Sequence, residues 1–181
     1  MKKSLIVLIS ILALLVIIIG YGISINNKMV NADEAVMSQW AKVENQYQRR
    51  ADLIPNLVNT VKGYASHEKE TLDAVVNARA KATQVTISPD NLNEASLQKY
   101  QAAQGELSQA LGRLLMVTEN YPDLKANQNF LELQAQLEGT ENRISTERTR
   151  YTDMVRDYNA MIRRFPCLLY TSDAADDLIG V

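Results

Sequence analysis

The sequence predicts an all-α protein, a single N-terminal transmembrane helix followed by an elongated antiparallel four-helix bundle of up-down-up-down order. Three observations lead there. Leu5 to Ile25 is an apolar run without one charged residue. From about Asn27 to Phe165 the apolar residues step by three and four, the period of a helix with one buried face. Glycine and proline are scarce, seven and four in 181 residues, so few helix breaks are written into the chain. No stretch alternates with period two for long enough to suggest a sheet.

The anchor comes first. Residues 1–4 form a short tail, and residues 5–25 hold fifteen Leu, Ile or Val side chains. At roughly −0.3 to −0.6 kcal/mol each, these sum to about −5 to −9 kcal/mol of insertion free energy, and the run is long enough for a hydrocarbon core of roughly 30 Å. A cleaved signal peptide is the rival reading. Its small-residue cleavage site should follow the apolar run, and Gly20-Tyr21-Gly22-Ile23-Ser24-Ile25 matches that poorly. The sequence therefore favours an uncleaved signal-anchor. Lys2 and Lys3 precede the run, whereas Lys28 stands alone after it until Lys42. The positive-inside rule then keeps the N-terminus in the cytoplasm and exports the rest.

Residues 27–166 are one helical domain. Its first segment reads Val36, Trp40, Val43, Tyr47, Ala51 and is expected to end near Pro55, because proline is tolerated in a first helical turn and disrupts an interior. A second helix would open there, reading Ile54, Val58, Val61, Ala65, Glu68, Leu72, Val75, Arg79, Ala82. The loop Val85 to Asn91 ends it. The third reads Leu97, Tyr100, Gln104, Leu107, Leu111, Leu114, Thr118, Tyr121 and stops at Pro122. Asp123 is the expected cap of the fourth, which reads Phe130, Leu133, Leu137, Ile144, Tyr151, Val155, Tyr158, Ile162, Phe165. The alternative keeps the chain helical through Pro55 with a kink, giving three long helices. Short connections favour the up-down-up-down order.

Residues 167–181 are set aside. Cys167-Leu168-Leu169-Tyr170-Thr171-Ser172-Asp173-Ala174-Ala175-Asp176 resembles the translation of a transposon-end adapter used in sequencing libraries, so the natural sequence is expected to differ after Pro166. Without this tail the domain has no cysteine. The 21 acidic residues lose Asp173, Asp176 and Asp177, leaving 18 against 19 basic ones. This near-neutral balance holds no polybasic groove, and no nucleic-acid partner is expected.

The order of several motifs resembles the LemA family. They are Gln48-Arg49-Arg50-Ala51-Asp52-Leu53-Ile54-Pro55-Asn56-Leu57-Val58, Val61-Lys62-Gly63-Tyr64-Ala65, Glu119-Asn120-Tyr121-Pro122-Asp123-Leu124-Lys125-Ala126-Asn127 and Thr140-Glu141-Asn142-Arg143-Ile144. Arg150-Tyr151, Tyr158-Asn159 and Arg164-Phe165-Pro166 complete the set. The resemblance implies one N-terminal membrane helix, an elongated helical bundle and no established enzyme activity. It also implies a related branch that takes part in building magnetosome membranes, and in some bacteria a neighbouring gene for a membrane-bound zinc protease. Family descriptions often place the short N-terminus outside the cell, opposite to the charge reading above.

Some positions on the apolar stripes are polar, namely Glu68, Arg79, Gln104, Thr118, Glu141 and Arg148. The bland expectation is that they sit at stripe edges and reach water. The sharper one is a buried polar layer joining Glu68 or Glu141 to Arg50, Arg79 or Arg143, which would set helix register. Arg143, Arg148, Arg150, Arg156, Arg163 and Arg164 recur along the last helix, mostly balanced by Glu141, Glu147, Asp153 and Asp157. If that helix returns toward the anchor, Arg163 and Arg164 become candidate contacts to lipid headgroups.

Metal and enzyme chemistry find no support. His67 is the only histidine, and His67-Glu68-Lys69-Glu70-Thr71 lacks the second one of a zincin helix. No nucleophile elbow, Walker loop or dinucleotide glycine pattern occurs. Gly63, Gly105, Gly112 and Gly139 are expected to mark close helix packing. No catalytic residue, cofactor, metal or small-molecule substrate is identified. The sequence is read as a non-enzymatic scaffold or adaptor of the bacterial cytoplasmic (inner) membrane, its bundle extracytoplasmic, with the membrane and protein partners or self-association as its contacts. The alternative is a sensor or ligand-binding bundle that signals through a partner.

Overall fold

The structure is a computed structural model that describes residues 2–87 and 94–164, with side chains from 5–87 and 95–164. The described chain is all helical, with one long apolar N-terminal helix and no strand. Its elements are α1 (Lys2–Tyr64), α2 (Lys69–Gln84), α3 (Glu94–Thr118), α4 (Pro122–Lys125) and α5 (Gln128–Ile162). The segment set aside at 167–181 lies outside the described residues.

The apolar run and the first amphipathic segment form one unbroken helix. α1 is 63 residues long, or roughly 95 Å. Its first part is apolar and long enough to cross a membrane, and none of that stretch is buried against the rest of the chain. The buried stripe then begins, with Ile25 and Met29 half-buried and Val36, Trp40, Val43 and Tyr47 in the core.

The expected break at Pro55 does not occur. α1 continues through Pro55 to Tyr64, so residues 54–64 belong to the first helix and α2 starts only at Lys69. An interior proline frees the carbonyl four residues back. Here that carbonyl, on Ala51, accepts a hydrogen bond from Arg79 Nε at 2.7 Å. The kinked three-helix alternative was right on continuity but also misplaced the next break, which falls at Ala65 to Glu68. There Ala65 N–H still reaches Val61 O, and Glu68 N–H turns back to Ala65 O.

The second correction concerns the cap of the last helix. Pro122 opens the single turn α4, and Leu124 pins that turn into the core at 0 % exposure. The cap of α5 is Asn127, not Asp123. Its side chain accepts from Phe130 N–H at 3.0 Å, satisfying one of the free donors of the first turn.

Side-chain pairings fix the directions. Gln39 meets Glu147 and Tyr64 meets Asn127, so α5 runs antiparallel to α1. Lys81 meets Glu106 while Glu68 meets Tyr121, so α3 runs antiparallel to α2. Packing forms two apolar clusters. One gathers Ile54, Leu57, Val61, Leu72, Val75, Leu107, Leu114, Leu124 and Phe130 at the end far from the apolar run. The other gathers Trp40, Val43, Tyr47, Ile87, Tyr100 and Ile144 nearer to it. Each fully buried Leu, Ile or Phe contributes about 1.5–3 kcal/mol by leaving water. The glycines do not sit at close approaches: a Cβ on Gly63, Gly105, Gly112 or Gly139 would meet nothing within 4 Å.

Candidate functional site

Arg50 lies between the two apolar clusters and is 1 % exposed. It sits one turn after Tyr47 and one turn before Ile54 on the buried stripe of α1, so the helix has no choice but to bury it. A fork of hydrogen bonds on its two Nη atoms offsets much of the cost of burying the guanidinium, while Nε is buried without a partner. Nη1 donates to Ser108 Oγ at 2.8 Å and to Glu141 Oε2 at 2.9 Å. Nη2 donates to the Gln104 carbonyl at 3.2 Å and to Gln104 Oε1 at 2.6 Å. The charged end also lies 5.2 Å from the ring centre of Tyr47. Gln104 in turn donates to Ala82 O at 3.4 Å, so residues from α1, α2, α3 and α5 meet at one level.

Of the pairings considered from sequence, the structure makes Arg50 with Glu141. The other candidates stand apart. Glu68 accepts from the Tyr121 hydroxyl at 2.9 Å and ties the α1–α2 turn to the corner after α3. Arg79 serves the Ala51 carbonyl, and Arg143 is exposed. Thr118 is buried and bonds back to Leu115 O at 2.6 Å, within its own helix. Ser108 and Gln39 were missed. Gln39 is 2 % exposed and donates to Glu147 Oε2 at 2.6 Å. Its place one turn after Val36 on the stripe was the available signal.

The ion pair is asymmetric. Glu141 is 55 % exposed while Arg50 is enclosed, so water solvates one partner only. Neighbouring Tyr100 is held in its neutral phenol form. Burial pushes its pKa up, helped by Glu44 and Tyr47, against the opposing pull of Arg50 and a hydrogen bond from Gln104.

Toward the apolar run, aromatic rings replace the polar layer. Trp40 lies 5.5 Å from Tyr100 and 5.2 Å from Tyr151 between ring centres, in edge and tilted contacts. Beside them runs a groove of about 500 Å³ between α1, the start of α3 and the last four turns of α5. Its walls include Trp40, Leu97, Tyr151 and Val155, and the arginines Arg148, Arg156 and Arg163. Arg163 and Arg164 follow the last turn of α5 and are both exposed. Tyr158, whose phenol pKa is raised by burial and then by Asp33, places this end of α5 alongside the start of the α1 stripe. Among the described residues no group of three or more His, Cys, Asp or Glu side chains could hold a metal, and His67 is exposed.

These features define a class: an all-helical protein whose packed domain grows directly out of one membrane-length apolar helix. Residues 39–174 match the profile described as the LemA family, and the chain belongs to that family. It is similar to Protein LemA of Metamycoplasma hominis, 21 % identical over 145 residues that cover 80 % of this chain and 59 % of that protein. It is also similar to Magnetosome protein MamQ 2 and Magnetosome protein MamQ 1 of Paramagnetospirillum magneticum. Each is 24 % identical over 157 residues, covering 77 % of this chain and 58 % of the relative. The chain thus spans about six-tenths of the length of these curated relatives.

Proposed function

We propose that this chain is a non-enzymatic, single-pass scaffold of the bacterial cytoplasmic membrane, an antiparallel four-helix rod that works by lateral contact with protein partners or with itself. The observation that carries this reading is the continuity of α1 from the apolar run to Tyr64. A rod joined to its anchor without a linker presents its flanks at a set height above the lipid. The antiparallel return of α5 brings Arg163 and Arg164 back to the base, where each cation near an anionic leaflet is worth about 1 kcal/mol. The two lysines ahead of the apolar run support an extracytoplasmic bundle. Two relatives named as magnetosome proteins agree with a role at a membrane.

Photocrosslinkers at the exposed apolar positions Met116 and Leu131, carried by the full chain in native membranes, test the reading. Discrete crosslinked products, to itself or to a recurring partner, are expected. Full-length protein in the soluble fraction, or a membrane-bound chain with no discrete product, would overturn it. The groove beside Trp40 is the observation that favours the second reading, a ligand-binding bundle.

A further inference from the structure

We propose that the groove beside Trp40 holds one acyl chain of an anionic phospholipid whose headgroup stays at the leaflet surface, bound by Arg163. Charge is the first argument. Three arginines line the groove and no carboxylate does. Arg156 is already engaged by Asp153 at 3.1 Å and Asp157 at 3.6 Å. Arg148 and Arg163 carry no ion pair among the described residues. The site therefore suits an anion, with an apolar floor of Leu97, Tyr151, Val155 and the Trp40 ring for an apolar body.

Two unpaired polar atoms belong to the same groove. Trp40 Nε1 and Asn159 Oδ1 are buried without a hydrogen-bond partner, and both residues line it. Buried donors and acceptors are rarely left unmet. Asn159 precedes Arg163 by one helical turn, on the same face of α5. A phosphoglycerol headgroup brings a hydroxyl donor and a phosphate to that pair together. Trp40 lies about 18 Å further up the groove, level with the acyl chain and not with the headgroup.

Position selects a lipid. Because α5 runs antiparallel to α1 with Tyr158 near Asp33, Arg163 falls about level with Lys28. That is roughly 5 Å beyond the end of the apolar run, within the headgroup layer. From Arg163 to Arg148 the helix climbs about 22 Å. One leaflet, headgroup included, is about 20–22 Å thick. The groove therefore matches one lipid in length and opens where lipids are.

The inference rests on α1 holding the chain in a bilayer, and Trp40 tests both. It is the only tryptophan in the chain, and it stands roughly 22 Å past Ile25, out of reach of chains that remain in the bilayer. Bromine on an acyl chain quenches tryptophan emission only at contact. The full chain is placed in nanodiscs of phosphatidylglycerol with brominated chains, or of brominated phosphatidylcholine. Loss of most Trp40 emission is expected with the first and little loss with the second. Val155→Phe, which fills the floor without changing charge, and Arg163→Glu, at an exposed turn, should each restore emission. Unquenched Trp40 in protein that co-fractionates with phosphatidylglycerol discs, or quenching unchanged by Val155→Phe, overturns the proposal and leaves the anchor reading standing. Protein recovered outside the discs overturns both.

Discussion

Arg79 Nε donates to the carbonyl oxygen of Ala51 at 2.7 Å, supplying the hydrogen that Pro55 cannot. A helix interrupted by proline is thereby completed from its neighbour, and the same bond staples α2 to α1. In urea unfolding of the full chain, Arg79→Met should cost about 1.5 kcal/mol, the lower end for a bond from a charged donor because Arg79 is half-buried. Pro55→Ala returns an N–H to the ladder. In that background Arg79→Met should cost clearly less, and equal costs in both backgrounds would refute the relationship.

The fork on Arg50 predicts an order of effects. Glu141→Gln removes the charge of a partner that is more than half exposed, so water compensates and the loss should be about 1 kcal/mol. Arg50→Lys cannot reproduce the donors to Ser108, Gln104 and Glu141 together. It should cost about 2–3 kcal/mol and broaden the transition as the two apolar clusters uncouple. Matched losses for the two variants in denaturant unfolding would mean that the ion pair alone matters.

Much of this was readable in the residues. The stripe Val36, Trp40, Val43, Tyr47, Ala51 is buried as spaced, and so are Leu107, Leu114, Phe130, Leu137 and Ile144. Arg50 and Glu141 were legible because a charge on an apolar stripe demands a partner. The boundary between the first two helices was not. Ile54, Val61, Ala65, Leu72 and Val75 keep a helical period straight across the turn at Ala65 to Glu68, because both helices face the same core. The rescue of Pro55 needed a side chain 24 positions downstream, which no local rule reaches. Gly112 and Gly139 misled for a simpler reason: glycine marks close packing only where something packs against it.

That last point is testable. Gly112 and Gly139 lie inside α3 and α5 with open space where a Cβ would go. Gly112→Ala and Gly139→Ala should each raise stability by about 0.5–1 kcal/mol by restricting the unfolded chain. A destabilised variant in thermal unfolding would mean that a contact lies within reach of the new methyl group.

Tyr121 and Glu68 should guard the turn between α1 and α2. Tyr121→Phe removes their 2.9 Å bond and should loosen the turn locally. Amide exchange should rise at Ala65 to Lys69 more than in α5. Uniform exchange would show that the bond serves global stability only.

Alkaline pH gives a separate test. Burial, helped by Glu44 and Tyr47, raises the phenol pKa of Tyr100, and burial alone raises that of Tyr151. The folded state then keeps protons that the unfolded chain loses near the ordinary tyrosine value of about 10. Their stabilising contribution is complete below pH of about 10 and is lost as pH climbs from there through the folded values. Unfolding midpoints should fall steeply above that pH, and Tyr100→Phe should flatten the fall. An unchanged slope in the variant would assign the alkaline loss elsewhere.

The uninterrupted run of α1 also has a mechanical consequence. From Ile25 to Tyr64 the helix extends about 58 Å, against roughly 30 Å within the hydrocarbon. With the apolar run held in a bilayer as proposed, a sideways pull at the tip would be delivered as torque on the spanning portion, with nearly twofold leverage. Tilting the outer end would then tilt the bilayer segment with it, and thinning or curving the bilayer would swing the tip.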